Sequence, residues 1–129
     1  MNNKVEGSHS IMIVEDNPDS RALVVKILHA RGYRIIEAMD GEEALLMVAE
    51  EKPDLMLMDI SIPKLDGLEV TRRIRRNEGT KDIPIVALTA HAMQGDREKA
   101  LAAGCDGYIS KPISVRDLPN QIKKFIKVK

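Results

Sequence analysis

The sequence predicts an α/β fold, a doubly wound five-stranded parallel sheet, and three observations support this. Short apolar runs alternate five times with longer segments in which apolar residues have helical spacing. Most of these runs are unbroken, as expected for strands buried on both faces. Strict alternation favours right-handed crossovers and the strand order 2-1-3-4-5. Residues 1–9 are polar and expected to be disordered, and residues 10–129 are expected to form one domain.

The first strand–helix unit begins with an apolar run from Ile11 to Val14, which predicts a strand. Asn17 and Pro18 follow, and these residues are typical of the N-cap and first position of a helix. This helix is predicted to continue to about Arg31 and to stop at Gly32. Its inward-facing residues are predicted to be Leu23, Ile27 and Ala30.

The second unit has a strand of mixed polarity at residues 33–38, which suits the edge of a sheet. Asp40 and Glu43 predict a capping box at the start of a helix that ends near Glu51. The inward-facing residues of this helix are predicted to be Ala44, Leu45, Val48 and Ala49. The third strand is predicted from Leu55 to Asp59, an apolar run too short for most helices that ends in a single aspartate.

The third helix is predicted from Gly67 to Asn77, with Val70 and Ile74 directed inward. Its outward face is predicted to carry four arginines, Arg72, Arg73, Arg75 and Arg76. Glu69 and Glu78 flank these arginines, and no aromatic residue interleaves with them. The pattern therefore favours a solvated helix face over direct binding of nucleic acid.

The last two units repeat the rhythm, with strands predicted at residues 83–88 and 107–110. The helix between them has Met93, Leu101 and Ala102 as apolar positions and is expected to stop at Gly104.

Ser114 and Asp117 are expected to open the final helix, but Pro119 falls inside it. Proline removes a backbone donor, so two outcomes are open. The helix is kinked, or a short turn to Leu118 precedes a helix that starts at Pro119. The buried face is predicted to contain Leu118, Ile122, Phe125 and Ile126.

Composition excludes several classes of protein. Lys and Arg together number 20, as do Asp and Glu, so no net charge draws the chain to nucleic acid or an anionic membrane. Cys105 is the single cysteine, so an internal disulfide is ruled out. Its side chain is expected to fill a small space in the core. No apolar stretch approaches membrane-spanning length, so membrane insertion is not expected and a cytoplasmic location is.

Polar residues stand at the carboxyl ends of four predicted strands: Glu15 and Asp16, Asp59, Thr89, and Lys111. In open α/β sheets this edge is where ligands bind. Three carboxylates brought together there would repel one another unless a cation lay among them, and oxygen ligands suit Mg²⁺. Each residue alone also fits an ordinary cap or loop position, but their common placement favours a functional site.

These residues and their spacing resemble the receiver domains of bacterial response regulators, the CheY-like family, from Ser10 to Val128. The matching residues are Glu15, Asp16, Asp59, Pro63, Asp66, Gly67, Thr89, Ala90, Lys111 and Pro112. The block from Ala92 to Ser114 is similar to single-domain regulators of the DivK type and to the receivers of hybrid kinases.

The resemblance implies a phosphorylation site. Asp59 would take a phosphoryl group from a phosphohistidine as the nucleophile. Glu15, Asp16, Asp59 and the backbone carbonyl of Ser61 would hold Mg²⁺, directly or through water. Lys111 would pair with a phosphate oxygen.

The resemblance also implies a switch and a set of partners. Thr89 would move onto the phosphoryl group while Tyr108 changes rotamer, and the Lys111–Pro112 peptide would be cis. The phosphodonor would be a sensor histidine kinase or a histidine phosphotransfer protein. A downstream effector protein would bind the face formed by the fourth helix, fifth strand and fifth helix.

Three other functions fit the sequence less well than that of a receiver. A dehalogenase-type phosphatase needs a second aspartate two positions after the nucleophile, where this chain has Ser61. A flavodoxin-like flavin carrier must cradle a phosphate in its first loop, which Glu15 and Asp16 would repel. An unphosphorylated receiver-like scaffold would not need the complete site. The chain is therefore not expected to be an enzyme beyond its own phosphorylation and dephosphorylation.

Overall fold

A computed structural model describes residues 9–60, 66–89 and 94–126 of the chain. Its strands are β1 (Ser10–Val14), β2 (Arg34–Ala38), β3 (Leu55–Asp59), β4 (Ile85–Thr89) and β5 (Gly107–Ser110). Its helices are α1 (Pro18–His29), α2 (Gly41–Glu51), α3 (Gly67–Arg76), α4 (Gln94–Ala103) and α5 (Leu118–Lys123). The strands pair in parallel in the order β2-β1-β3-β4-β5, which confirms the predicted topology.

The sheet separates two apolar layers, because successive residues of a strand point to opposite faces. Met56 and Met58 of β3 pack with Val70 and Ile74 of α3 on one face. Leu57 lies on the other face, in the layer that α1 and α5 cover. Both faces of the central strands are thus buried, which explains why their sequences are unbroken apolar runs. Each such fully buried side chain stabilises the fold by about 1.5–3 kcal/mol.

Helices α1 and α2 begin at the positions that their capping residues predicted. The Asn17 side chain accepts a hydrogen bond from the Ser20 amide at 3.0 Å at the start of α1. The Asp40 carboxylate accepts one from the Glu43 amide at 2.8 Å at the start of α2. The Glu43 carboxylate reaches back to the Met39 amide at 2.7 Å, so the capping box is closed one residue before the N-cap.

The buried faces of α1 and α2 differ in part from the predicted ones. In α1, Leu23 is 38% exposed and Ala30 is also exposed, so these two predictions were wrong. Ala49 of α2 is exposed as well, and Leu45 is half-buried. The residues that the two helices bury are Val24, Ile27, Leu28, Gly41, Ala44 and Val48. The apolar residues at 22–25 are consecutive, so helical spacing alone fits more than one stripe, and packing on the sheet selects one.

Arg75 was predicted to point outward, and this was wrong. Its guanidinium turns under the end of α4 and donates to the carbonyls of Gly104 at 2.9 Å, Lys81 at 2.8 Å and Ile83 at 2.7 Å. It also pairs with the Asp106 carboxylate at 2.7 Å. The guanidinium of Arg75, a residue of α3, thus donates hydrogen bonds to carbonyls of the two loops that precede β4 and β5.

The apolar positions named for α4 in the sequence do not form its buried face. Leu101 and Ala102 are exposed, whereas Ala100 and Ala103 are buried. Ala100 belongs to the same apolar layer as Cys105, which is buried as predicted. Burial raises the pKa of the Cys105 thiol.

The final helix resolves the two outcomes that Pro119 left open. Its helical turns begin at Leu118, and Pro119 occupies the first turn, where no backbone donor is needed. A turn precedes it, in which the Asp117 amide donates to the Ser114 hydroxyl at 3.1 Å. This matches the turn-then-helix outcome, with a start one residue earlier than Pro119. Its buried face contains Leu118 and Ile122 and, beyond the helix, Ile126, while Phe125 is half-buried.

The ends of the chain add two observations. Of the segment at residues 1–9, the structure describes only His9, whose carbonyl accepts a hydrogen bond from the Arg34 amide at 3.0 Å. Within the described ranges no helix is both long enough and apolar enough to cross a membrane.

Candidate functional site

Four parallel strands end at the same edge of the sheet and bring together the polar residues predicted there. Asp59 ends β3 and Thr89 ends β4, while Glu15, Asp16 and Lys111 directly follow β1 and β5. Glu15, Asp59 and Thr89 are buried, and Asp16 is exposed. The predicted constellation is therefore assembled at one mouth of the sheet.

The carboxylates of Glu15, Asp16 and Asp59 form a cluster. One oxygen of each lies within 4.8 Å of the others. Three negative charges at this separation repel one another, and oxygen ligands on flexible carboxylates suit a hard divalent cation. The donor set thus fits a metal ion such as Mg²⁺.

Lys111 already places a cation among these carboxylates. Its ammonium nitrogen lies 2.6 Å from Glu15 Oε1 and 3.0 Å from Asp59 Oδ2, and its side chain is only 19% exposed. The peptide from Lys111 to Pro112 is cis, as the resemblance implied. The Lys111 amide donates to the Thr89 carbonyl at 2.7 Å, which ties the end of β5 to the end of β4.

The charges in this cluster shift one another's proton affinities. Burial raises the pKa of the Glu15 carboxyl, and the Asp59 carboxylate adds to this rise, while hydrogen bonds from Lys111 and from the Asn17 amide oppose it. Burial by itself lowers the pKa of the Lys111 ammonium, but its hydrogen bonds to the two carboxylates outweigh burial and raise it. Lys111 therefore stays charged and offsets part of the repulsion.

The loop between β1 and α1 is held by several hydrogen bonds. The Glu15 amide donates to the Ala38 carbonyl of β2 at 3.1 Å. Glu15 Oε2 accepts from the Asn17 amide at 3.1 Å. Arg21 of α1 donates to the Glu15 carbonyl at 2.9 Å and to Glu37 Oε1 at 3.2 Å. Sequence reasoning missed Arg21, whose signal was an arginine one turn beyond the Asn17 cap.

Gly67 allows α3 to approach the end of β3. A Cβ atom at this position would lie 2.7 Å from the Ile60 Cα and 2.9 Å from the Asp59 carbonyl oxygen. No side chain fits so close to backbone atoms, and the Gly67 amide donates to the Ile60 carbonyl at 3.3 Å. Glycine is thus required where the chain returns to the site.

Thr89 and Tyr108 lie on the same face of the sheet. The register pairs Ala87 with Tyr108 and Thr89 with Ser110, so both residues point toward the layer that α3 and α4 cover. Tyr108 is half-buried. The half-buried ring of Tyr108 therefore lies on the side of the sheet toward which Thr89 points.

Several positions named in the sequence analysis fall on parts of the chain that the structure does not describe, among them Pro63 and Ala90 of the matching motifs. Ser61, whose carbonyl was expected to contact the metal, lies in the gap at residues 61–65. Met93 lies in the gap at residues 90–93.

Comparison with known proteins identifies the family of this chain. A family model described as the response regulator receiver domain matches residues 11–123. The polar-differentiation response regulator DivK of Brucella anthropi is 44% identical over 117 residues, which cover 91% of this chain and 95% of that protein.

Solved structures share the fold. The receiver domain of a sensor histidine kinase from Pseudomonas aeruginosa, with a magnesium ion coordinated in its active site cleft, is 38% identical. It superposes with a TM-score of 0.85 and covers 91% of this chain and 96% of its own. A chemotaxis response regulator of Vibrio cholerae is 25% identical, with a TM-score of 0.87 over 92% of this chain and 98% of its own. The chain therefore belongs to the response regulator receiver domain family and has a phosphoryl-accepting function in two-component signalling.

Proposed function

We propose that Asp59 is the residue that accepts the phosphoryl group. The observation that carries this is its position, since a buried carboxylate ends the central strand beside two further carboxylates and an ammonium group. An Asp59 oxygen attacks phosphorus, the phosphorus–nitrogen bond of a phosphohistidine breaks, and the imidazole leaves. The product is an acyl phosphate on Asp59.

We propose Mg²⁺ as the cofactor, held by Glu15, Asp16, Asp59 and the Ser61 carbonyl. The oxygen-only donor set and the close approach of three carboxylates support this choice. When bound, the ion neutralises charge on the transferring phosphoryl oxygens. The chain's own contribution is to hold the nucleophile in place, at the end of a strand buried on both faces.

Lys111 and Thr89 complete the proposed site. Lys111 contacts Asp59 now, and its ammonium pairs with a phosphoryl oxygen once Asp59 is modified. The Thr89 hydroxyl donates to another phosphoryl oxygen, and Tyr108 repacks in response. The shared sheet face of Thr89 and Tyr108 supports this coupling. Together they turn a local charge into a change of surface.

We further propose the partners and setting of this domain, which spans residues 10–129. The phosphodonor is a sensor histidine kinase or a histidine phosphotransfer protein, and the output is contact with a downstream effector protein. We propose no direct nucleic-acid binding, since Arg72, Arg73 and Arg76 form ion pairs with Glu69 on α3 and no aromatic residue interleaves with them. The setting is the cytoplasm, where ATP supplies histidine kinases.

Phosphorylation with a small acyl-phosphate donor and Mg²⁺ tests the acceptor. Intact-mass spectrometry should detect one added phosphoryl group on the wild-type protein and none on Asp59→Asn. Asp54→Asn is a matched control at the opposite end of β3, where Asp54 accepts a hydrogen bond from the Ser10 amide at 2.7 Å. This control should be labelled like the wild type. Undiminished labelling of Asp59→Asn would refute the assignment.

A further inference from the structure

Arg21 reaches from α1 back across the acidic loop that follows β1. Its side chain is only 17% exposed, although it lies on an outer helix. One guanidinium nitrogen donates to the Glu15 carbonyl at 2.9 Å. Its Nε donates to Glu37 Oε1 at 3.2 Å, so a carboxylate of β2 fixes the plane of the fork. The two bonds make Arg21 a bridge between the loop and the edge strand.

The Glu15 residue is thereby held on both sides of its backbone. Its amide donates to the Ala38 carbonyl of β2 at 3.1 Å, and its carbonyl accepts from Arg21. The Glu15 carbonyl and the Asp16 amide belong to one planar peptide unit. Fixing that carbonyl fixes the direction in which Asp16 leaves the loop. Arg21 touches neither carboxylate of the acidic pair in the hydrogen bonds described.

We propose that Arg21 is a positioning residue that holds the Glu15–Asp16 peptide so that both carboxylates converge with Asp59 on a metal ion. The inference rests on the proposed function, because it assigns a role toward the proposed Mg²⁺. Residues that hydrogen-bond to metal ligands without contacting the metal orient those ligands, and loss of such bonds typically weakens metal affinity by about 10- to 100-fold.

Whether removal of Arg21 weakens or tightens Mg²⁺ binding distinguishes a positioning role from a purely electrostatic one. A guanidinium near three carboxylates, acting only as a positive charge, would repel Mg²⁺, so removing it would tighten binding. A guanidinium that orients the loop would, when removed, weaken binding. The pairing of Arg21 with Glu37 offsets much of its charge, which favours the second effect.

Titration calorimetry with Mg²⁺ alone, on the full chain without a phosphodonor, measures this sign. Arg21→Ala should bind Mg²⁺ roughly tenfold more weakly than the wild type. Arg34→Ala is the matched control, because it also removes an arginine ion pair of β2, with Glu51 at 3.7 Å, but at the amino end of the strand, away from the acidic cluster. This control should bind as the wild type does. Affinity of Arg21→Ala equal to or tighter than wild type overturns the proposal.

Two further variants keep the test decisive if Arg21→Ala does not fold. Arg21→Lys keeps the charge but loses the planar fork that donates to the Glu15 carbonyl and to Glu37 from two separate nitrogens, so its affinity should fall between wild type and a tenfold loss. Glu37→Gln keeps an oxygen acceptor but removes its charge, so it holds the Arg21 guanidinium less firmly and should weaken Mg²⁺ binding in the same direction. Wild-type affinity in both variants overturns the proposal.

Amide hydrogen exchange of the metal-free protein supplies a readout that does not depend on activity. The Glu15 amide should exchange faster in Arg21→Lys than in the wild type, while amides of β3 should not change. Equal exchange at Glu15 overturns the positioning role. A wild-type protein that binds no Mg²⁺ refutes the metal site itself, an outcome distinct from a wild type that binds and a variant that binds equally well.

Discussion

The ammonium nitrogen of Lys111 lies 2.6 Å from Glu15 Oε1, although the two residues are 96 positions apart in the chain. This contact ties the end of the fifth strand to the end of the first across β3 and β4. It also places a protein cation among carboxylates whose mutual repulsion would otherwise destabilise the fold. Lys111 therefore has two roles, one in the metal-free protein and one in the proposed phosphorylated state.

Substitution Lys111→Ala should expose the role of the ammonium in the metal-free protein. Without the ammonium the negative charges of the carboxylates are left uncompensated. The free energy of unfolding of the metal-free variant should therefore fall by about 1–3 kcal/mol, which is less than the loss expected when a fully buried ion pair is broken. Mg²⁺ should still bind and should raise the melting temperature more in the variant than in the wild type, as thermal unfolding with and without Mg²⁺ will measure. An equal rise in both proteins would mean that Lys111 does not offset the carboxylate charge.

Gly67→Ala should disturb the site through packing alone. The new Cβ would lie 2.7 Å from the Ile60 Cα, so backbone must move at the end of β3. We expect a loss of about 1–3 kcal/mol in the free energy of unfolding by urea and slower phosphorylation of Asp59. Gly95→Ala is the control, since a Cβ there meets nothing within 4 Å. It should be neutral or stabilise α4 by up to about 1 kcal/mol. Equal stabilities of the two variants would contradict the steric argument.

Tyr108→Ala should weaken the phosphorylation-dependent binding of a kinase or effector while Asp59 is still labelled. The half-buried ring lies on the same sheet face as Thr89, two register pairs away, so its loss removes the element that responds. Charge reversal at Arg72 and Arg73 should matter much less, because both lie on α3 and pair with Glu69. Affinities measured with and without phosphorylation decide this. If the arginine changes dominate, the output surface lies on α3 instead.

Much of the fold and most of the site could be predicted from local sequence. Unbroken apolar runs identified β1, β3 and β4. Asn17 and Asp40 identified two helix starts, because caps act on amides within three residues. The polar residues after the strands predicted the site, since parallel strands present their carboxyl ends at one edge. The metal cluster and the cis peptide at Pro112 agreed with the family resemblance.

What the sequence determined by itself was thus the order of elements, their caps and the edge at which the site forms. Tertiary structure alone decided which stripe of α1 is buried, why Ala100 rather than Leu101 faces the core, and where Arg21 and Arg75 point. Helical periodicity describes a face but not its partner, so consecutive apolar residues leave the choice to packing. The two arginines are directed by carbonyls and carboxylates that neighbouring elements bring within reach, and that proximity exists only once the chain is folded.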